Sequence, residues 1–353
     1  MRYGGRMLMQ STQSLRARPR ALMLWLFAVA ALVLVMVMVG GITRLTESGL
    51  SITQWKPLSG TLPPLTEAQW QAEFDNYKKI PEFSVVNPNM TLAGFKGIFF
   101  WEYVHRLLGR VIGLAFALPL LWFAVRRRIP AGYGARLVAI LALGGLQGAI
   151  GWWMVASGLV GRTDVSHVRL AVHLTTALVL LAGLVWTALD LRQLAAVPFS
   201  RGARLHPVAA LALGLLFVQI VFGAFTAGLD AGYAFASWPL MGDAWFPAGA
   251  PMVDPAWRNA VDNPIVVQFI HRWLAFAAAA GLGLLAWRAW VMSARRAAIA
   301  MVALVSLQIG LGIATLLSGV AIAIAVAHQV NAALTLIATV CAAHAVGRRA
   351  PSA

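Results

Sequence analysis

The stretch IFFWEYVHRLLGRVIGLAFALPLLWFAV, residues 98–125, is long and apolar enough to cross a bilayer as one helix. Its first part contains EYVHRLLGR, residues 102–110, which carries an acid, a histidine and two arginines. Ionisable side chains inside a membrane span are costly and therefore need a reason. The stretch predicts both a membrane span and a functional site, and the rest of the chain has to supply the partners.

The composition of the chain is that of a polytopic membrane protein. Of its 353 residues, 60% are hydrophobic and only 11% are charged, and the mean hydropathy is +0.76. The net charge of +16 does not indicate nucleic-acid binding, because most basic residues stand in short clusters between apolar runs. Membrane topology explains such clusters. We therefore expect membrane lipid, and no nucleic acid, as a partner.

Apolar runs of about 20 residues predict the membrane-spanning helices. The first run follows a basic leader, so a cleaved signal peptide is an alternative reading. No small-residue cleavage site follows Val39, and the run is long for a signal core, so we interpret it as a helix. The sequence predicts an all-α integral membrane protein with eight spans, which are residues 21–41, 98–125, 137–156, 168–189, 207–227, 265–290, 297–317 and 321–346.

The distribution of charge predicts the orientation. Arginine clusters precede the first span, join spans 2 and 3, 4 and 5, and 6 and 7, and end the chain. The positive-inside rule places all of them, and both termini, in the cytoplasm. The two long loops, 42–97 and 228–264, carry nearly all the acidic residues and are predicted to face outward. The short leader leaves little room for a transit peptide, which favours a bacterial inner membrane over a mitochondrial one.

The chain repeats itself. Tyr103-Val-His-Arg-Leu in the second span resembles Phe269-Ile-His-Arg-Trp in the sixth. Four further positions match at one constant offset, namely Thr43, Gly49, Trp55 and Pro64 with Thr226, Gly232, Trp238 and Pro247. Each half has four spans, so both halves share one orientation, which predicts two four-helix bundles related by a pseudo-twofold axis along the membrane normal. The predicted divisions are a basic cytoplasmic leader 1–20, an N-terminal repeat 21–189, a cytoplasmic linker 190–206, a C-terminal repeat 207–346 and a cytoplasmic tail 347–353.

Histidines indicate the chemistry. We place His167 in an outer loop, and His206 and His344 at cytoplasmic helix ends. The other four stand within about two turns of the outer end of each even-numbered span, and they are His105, His173, His271 and His328. A lone histidine in a span is often structural, but four at one depth, one pair in each repeat, favour ligation. Two facing imidazoles suit the axial positions of a haem, whereas zinc needs further ligands.

The motifs resemble the haem A synthase family. They are EYVHR at 102–106, HL at 173–174, IHR at 270–272, HQ at 328–329, and GGITRLTESGLS at 40–51 followed by Trp55. The resemblance implies an enzyme that oxidises a methyl group of haem O to a formyl group, giving the haem A of terminal oxidases. It implies a permanent haem b on His271 and His328, and a substrate haem on His105 and His173. Some members carry cysteine pairs in the outer loops, but the single cysteine here, Cys341, lies in the last span, so no thiol–disulfide step is implied.

One carboxylate distinguishes the two repeats. Glu102 stands three residues before His105 and on the same helix face, whereas the matching position in the second repeat is Gln268. A carboxylate there is suited to accept protons from the reacting methyl group or to position a water, which makes Glu102, His105 and His173 the predicted catalytic residues. The alternative role of Glu102 is to orient His105 or balance Arg106. Glu47 in the outer loop is the second candidate for the acid–base group.

Two arginines directly follow histidines in the repeat. Arg106 and Arg272 are predicted to pair with haem propionates, and an interfacial anchor is the alternative for each. Two other functions remain open from the residues alone, a dihaem electron carrier linked to quinol and a histidine-relay proton transporter. The expected partners are haem O, the enzyme that produces it and an electron acceptor that the sequence does not identify, and a homo-oligomer is left open.

Overall fold

The computed structural model describes residues 17–56 and 59–348, and this part of the chain is built of helices without β-strands. Eight of its helices are long and apolar enough to cross a membrane. They are α1 (Pro19–Leu45), α2 (Leu92–Val125), α3 (Gly134–Ala156), α4 (His167–Ala196), α5 (Pro207–Gly228), α6 (Pro264–Val291), α7 (Arg295–Leu317) and α8 (Ile322–Val346). The predicted all-α membrane fold with eight spans is confirmed. Residues 1–16 and 349–353, which hold most of the predicted leader and tail, lie outside the described residues.

Local sequence signals explain where several helices begin. Pro19, Pro207 and Pro264 each stand in the first turn of their helix, where a missing backbone N–H costs no hydrogen bond. The side-chain oxygen of Asn263 accepts from the backbone N–H groups of Ile265, at 3.0 Å, and Val266. This cap fixes the start of α6 seven residues before a predicted haem ligand.

Two helices are longer than the sequence predicts. α2 begins at Leu92 rather than 98, because the Thr91 hydroxyl caps it by accepting from the Gly94 N–H at 3.3 Å. α4 continues to Ala196 rather than 189, so the predicted linker 190–206 is helical over its first part. Asp190, just beyond the predicted end of the span, has a fully buried side chain. The division of the chain into two repeats at this linker otherwise stays a prediction.

Asp190 is buried because it joins four segments at the end of the bundle that carries the short basic loops. One carboxylate oxygen accepts from Arg136 Nη1 at 2.6 Å. The other lies 2.9 Å from His344 Nε2 and accepts from the Ala203 N–H at 2.9 Å. His344 lies in the last turn of α8, at the predicted helix end, but its side chain is buried and holds α8 to α4.

The core of the bundle runs through both halves. α1 packs against α2, α4 and α8, and α4 packs against α5. One continuous apolar cluster contains residues from all eight helices, and its fully buried members include Leu22, Leu137, Leu181, Leu285 and Met301. The two halves therefore share a core, and α1 lies where both contribute to it.

The connection from α1 to α2 is a folded layer at the other end of the bundle, which we call the long-loop end because it carries residues 46–91 and 229–263. It contains the helices Glu67–Tyr77 and Pro81–Val85. Phe74 and Tyr77 pack on Phe95 of α2, with ring centroids 5.1 and 5.4 Å apart. This packing extends α2 beyond the length that a bilayer needs.

Matching positions of the two repeats adopt matching local structure. The Thr43 hydroxyl donates to the Val39 carbonyl at 2.9 Å, and the Thr226 hydroxyl donates in the same way to Phe222 at 2.8 Å. Glu47 and Asp230 both have φ of 51°, in the left-handed region. These similarities support the internal repeat, while the pseudo-twofold axis of the whole bundle stays a prediction.

A contact between the halves corrects the placement of His167. This residue is the first of α4 rather than part of a loop, and it is buried. Its ring nitrogen Nε2 lies 3.3 Å from Asp262 Oδ1, which precedes α6. A Cβ added to Gly228 would come 2.6 Å from the Cβ of His167, so only glycine lets α5 approach this closely. His206, in contrast, caps α5 at the predicted helix end.

Candidate functional site

The four predicted ligands lie in two facing pairs. The imidazoles of His105 on α2 and His173 on α4 are close enough for a charge on one to act on the other. The same is true of His271 on α6 and His328 on α8. Each half of the bundle therefore presents two half-buried imidazoles to one another, as the spacing along the sequence predicts.

His105 stands deeper in its helix than predicted. Because α2 begins at Leu92, the histidine follows more than three turns of helix rather than two. The extra turns project from the long-loop end and pack on the helix Glu67–Tyr77. The position of His105 along α2 therefore does not indicate its depth in the bundle. Its neighbour His173 on α4 indicates that depth instead.

Each imidazole lies against a glycine of the preceding helix. A Cβ added to any of three of these glycines would come 3.0 Å from the imidazole Cε1, which is tighter than nine in ten real Cβ contacts. A larger residue at these places would require the ring to shift by a few tenths of an ångström. The contacts are Gly40 with His105, Gly151 with His173, Gly223 with His271, and Gly312 with His328.

Glutamine side chains reach three of the four imidazoles. Gln147 Nε2 lies 3.1 Å from the Nδ1 of its histidine, and Gln219 Nε2 lies at the same distance from its own. Gln308 Nε2 lies 3.3 Å from His328 Nδ1, while its Oε1 accepts from Asn331 Nδ2 at 2.7 Å. The side-chain oxygens of Gln147 and Gln219 are buried without a hydrogen-bond partner. Rotation of the amide would turn these oxygens toward the imidazole N–H, and it would break the hydrogen bonds that the two Nε2 atoms now donate to the backbone carbonyls of His173, at 2.9 Å, and His271, at 3.0 Å.

The donor set fits an axially ligated macrocycle better than a bare ion. Within the described residues, no group of three or more His, Cys, Asp or Glu side chains is arranged to hold a metal ion. Zinc sites need three or four such ligands. Two facing imidazoles, each flattened against a glycine, match the six-coordinate ligation of a haem iron.

Glu102 is buried and anchors the segment that follows α1. One oxygen, Oε2, accepts from the Ser51 hydroxyl at 2.7 Å and from the Ile52 N–H at 2.6 Å. The other, Oε1, accepts from Arg106 Nη2 at 2.6 Å and from Nε at 3.0 Å. Both oxygens are thus occupied by donors, and the predicted pairing of Glu102 with Arg106 is present.

The C-terminal half anchors its long loop, residues 229–263, at the same place with different groups. Gln268 Nε2 donates to the Phe235 carbonyl at 3.0 Å. Arg272 donates to the carbonyls of Phe235 and Ser237, each at 2.9 Å. Arg106 likewise donates to the Ile52 carbonyl at 2.7 Å. Both arginines therefore anchor loops, and their pairing with propionates stays a prediction.

Two adjacent glycines of α1 face helices of the two different histidine pairs. Gly40 faces His105, and a Cβ added to Gly41 would come 2.9 Å from the Gln329 side chain. Gln329 directly follows His328, and its amide donates to the Val37 carbonyl of α1 at 2.8 Å. A single turn of α1 therefore contacts a helix of each pair.

A second acidic side chain lies near Glu102 at the long-loop end. Glu82 is 4% exposed, and one of its oxygens is buried without a hydrogen-bond partner. Burial, together with repulsion from Asp164, Glu102 and Glu47, raises the pKa of the Glu82 carboxyl to about 8. The N-terminal half thus holds two buried acidic side chains, Glu82 and Glu102. Of these, Glu82 has a pKa that favours its neutral form near pH 7.

Several of these residues were not predicted from the sequence. The sequence did not predict that Gln147, Gln219 and Gln308 contact the histidines. A glutamine four residues before a glycine, three times over, was the available signal. Ser51 and Glu82 gave no signal, because their contacts join segments that are distant in sequence.

Eight apolar helices that carry two facing imidazole pairs are typical of multi-pass membrane proteins that bind haem through paired histidines. The family model for a cytochrome oxidase assembly protein matches residues 23–340, and the chain belongs to this family.

The chain is similar over nearly its whole length to curated bacterial proteins. It is 56% identical to a protein of Sphingopyxis alaskensis named heme A synthase, covering 96% of each chain. It is 57% identical to the heme A synthase of Rhizorhabdus wittichii, over 94% of this chain and 95% of the relative. It is 51% identical to that of Novosphingobium aromaticivorans, over 95% of this chain and 98% of the relative.

Proposed function

We propose that the protein is a haem A synthase, an integral membrane enzyme that oxidises the methyl group of haem O to a formyl group and so supplies haem A to terminal oxidases. The observation that carries the proposal is the full-length similarity to proteins of that name, at 56% identity over 96% of the chain. The two facing histidine pairs support it, because the reaction involves one haem as substrate and a second as redox partner.

The two pairs have different roles in this proposal. His271 and His328 hold a permanent haem b, and His105 and His173 hold the iron of the substrate, haem O. When bound, haem b supplies one-electron transfer at a potential that its axial imidazoles help to set. The glycines against each ring fix the imidazole plane, so the protein orients the ligands before the haem arrives.

Glu102 is the proposed acid–base group of the N-terminal site. Oxidation of a methyl group releases protons that a nearby carboxylate can accept, and the position that matches Glu102 in the other half is Gln268. The Ser51 hydroxyl, which donates to Glu102, also lies 3.1 Å from the Ser48 carbonyl. Rotation of this hydroxyl toward Ser48 leaves the Ile52 N–H as the remaining donor to Oε2 and opens one acceptor position on that oxygen for a proton or a water.

Arg106 and Arg272 are proposed to receive the propionates at the long-loop end. Arg272 has a buried Nε without a hydrogen-bond partner, while its terminal nitrogens hold the 235–240 segment. A buried guanidinium nitrogen that still has a proton to donate is suited to a carboxylate ligand. Arg106 has its Nε directed at Glu102, so a propionate reaches only its terminal nitrogens.

The proposed location is a bacterial inner membrane, with both termini in the cytoplasm and the long-loop end outside. The charge distribution supports this orientation, since the basic loops lie at the opposite end of the bundle. Membrane lipid, the enzyme that produces haem O and an electron acceptor are the proposed partners.

Labelling from outside tests the orientation in a background with Cys341 replaced by alanine. A cysteine at exposed Ser84 should react with an impermeant reagent, and one at exposed Ala131 should not. Ala131 is preferred to Gly132, whose φ of +84° is strained for other residues. The opposite labelling pattern would reverse the proposed orientation.

A visible spectrum of the detergent-purified protein, followed by extraction of its haems, tests the function. The proposal requires a low-spin b-type spectrum and conversion of added haem O to haem A. A dihaem electron carrier would retain two permanent haems and make no haem A. A histidine-relay transporter would contain no haem. Either result would reject the proposal, and chromatography of the extract distinguishes them.

A further inference from the structure

Three of the four helices that face an imidazole share one spacing of glutamine and glycine, and α1 lacks the glutamine. In α3, α5 and α7 the glutamine that reaches an imidazole stands four residues before the glycine that faces the same imidazole. One turn of helix thus supplies both a flat surface and an amide. The pairs are Gln147 with Gly151, Gln219 with Gly223, and Gln308 with Gly312.

α1 keeps the glycine and lacks the amide. Gly40 faces His105, with a built Cβ 3.3 Å from Nε2, but four residues earlier the chain has Met36. The methyl end of Met36 lies near Gly109, one turn beyond His105 on α2. A thioether has no N–H to donate and is only a weak acceptor. Among the described residues, no side chain forms a hydrogen bond with the ring of His105.

The helices around His105 are also less tightly packed. α6 and α8, which carry the C-terminal pair, contact each other directly, and α6 packs closely on α7. Within the described residues, α2 and α4 scarcely touch, and α2 has a smaller contact with α3. The missing amide therefore coincides with the more open of the two histidine pairs.

We infer that Met36 makes His105 the exchangeable axial ligand, so that the N-terminal pair can take up and release a haem while the C-terminal pair retains one. A side-chain oxygen that accepts from the N–H of the second ring nitrogen orients an imidazole ligand and raises its basicity, and losing such a partner typically lowers metal affinity by about 10- to 100-fold. Gln147, Gln219 and Gln308 are positioning residues in this account, and Met36 is the specificity-determining one. The inference rests on the proposed assignment of haem O to the N-terminal pair.

Met36→Gln places a glutamine four residues before Gly40, as in α3, α5 and α7, and is the direct test. The full-length protein is loaded with haem O in detergent, excess apomyoglobin is added as a trap, and the haem O and haem b that remain are separated by chromatography. We expect Met36→Gln to slow the loss of haem O by about 10- to 100-fold. Met36→Leu, the matched control, keeps an apolar side chain without an amide and should lose haem O at the wild-type rate. Wild-type loss from Met36→Gln, or equal slowing by Met36→Leu, would overturn the inference.

Gln219→Met is the reciprocal exchange, and its test measures only haem b. It should speed the loss of haem b by about 10- to 100-fold and shift its low-spin electron paramagnetic resonance signal, which a purely packing role would leave in place. Gln219→Glu keeps an oxygen at this position and should restore both properties. Retention of haem b with an unchanged signal in Gln219→Met rejects the role of the amide. If the wild-type protein takes up no haem O, the proposed function fails, and this exchange still decides the role of the glutamines.

Discussion

In the C-terminal half, His271 and His328 each contact a glutamine, and their helices α6 and α8 pack directly together. In the N-terminal half, only His173 has such a contact, and α2 and α4 scarcely touch within the described residues. Both halves place the imidazole against a glycine of the preceding helix. The two halves thus share the histidines and their glycine surfaces, while the groups that contact these histidines differ.

The same divergence occurs one turn away from the ligands. Glu102 anchors its loop by accepting from Ser51 and Ile52, whereas Gln268 anchors its loop by donating to a carbonyl. Both arrangements connect a loop to the helix that carries a histidine. Only the N-terminal one leaves a carboxylate one turn from a histidine, which is why Glu102 is the proposed acid–base group.

Removing a ligand should give the largest effect and separates the two pairs. His271→Ala or His328→Ala should abolish the low-spin b-type spectrum, because axial ligation by two imidazoles needs both. His105→Ala or His173→Ala should keep that spectrum and stop the formation of haem A. Low-temperature spectra and extracted haems give both quantities. A full b-type spectrum from either C-terminal variant would show that the pairs are assigned wrongly.

Glu102→Gln should give the next largest effect. Loss of a positioned acid–base group typically lowers a rate by about 100- to 10,000-fold, so haem A production should fall within this range while haem b is retained. The structure adds a complication, since a glutamine cannot accept from all four donors that Glu102 now binds. The loop anchor weakens together with the charge.

Ser51→Ala separates these two consequences. It removes one donor of the anchor and leaves the carboxylate, so it reports the cost of a looser loop alone. Haem A production close to that of the wild type from Ser51→Ala, with severe loss from Glu102→Gln, assigns the chemistry to the carboxylate. Equal losses from both variants would reduce Glu102 to an anchor, and Glu47 would become the candidate for the acid–base group.

The sequence predicted the eight spans for physical reasons, and the ligand roles of the histidines stay predictions. A membrane imposes long apolar runs, and a histidine within such a run is conspicuous, so His105 and its three counterparts could be found from the sequence alone. The extension of α2 could not, because Lys96 interrupts the apolar run and the added turns are stabilised by packing on the helix Glu67–Tyr77.

Other features depend on contacts between helices that a single sequence does not reveal. Met36 is one apolar residue among many in α1, and it becomes informative only beside the glutamines of α3, α5 and α7. The burial of Asp190 could not be predicted, because its partners Arg136 and His344 come from other segments. The pairing offsets the cost of burying the Asp190 carboxylate and connects α4 to α3 and α8.

Asp190→Asn should have an intermediate effect, on stability rather than on one site. Removing one partner of a buried ion pair costs about 3–5 kcal/mol, and the lower end applies because Arg136 is 43% exposed and can turn toward water. Since Asp190 joins α4 to α8, both histidine pairs should lose haem at a lower temperature, which thermal unfolding at a fixed scan rate measures. Asp164→Asn, at an acid that is 46% exposed, is the matched control and should change little. Loss of haem from one pair only would show that the halves are less coupled than their shared core indicates.

The smallest expected effect concerns pH and again distinguishes the halves. The pKa of Glu82 is raised from its ordinary value of 4.5 to about 8, chiefly by burial and then by repulsion from Asp164 and Glu102. A carboxyl whose pKa is higher in the folded protein contributes stability that is complete below its unfolded pKa and is lost as the pH rises through its folded pKa. The segment around Pro81–Val85 should therefore become easier to open between about pH 5 and pH 8, and hydrogen exchange of residues 67–91 at several pH values measures this.

Glu82→Gln keeps the size of the side chain and cannot ionise, so its exchange should lack this loss of protection. Segment 229–263 of the C-terminal half serves as an internal control in the same experiment, because none of its acids is buried. A parallel pH response in that segment, or an unchanged response in Glu82→Gln, would mean that the opening reflects the whole bundle and that Glu82 does not control the N-terminal loop.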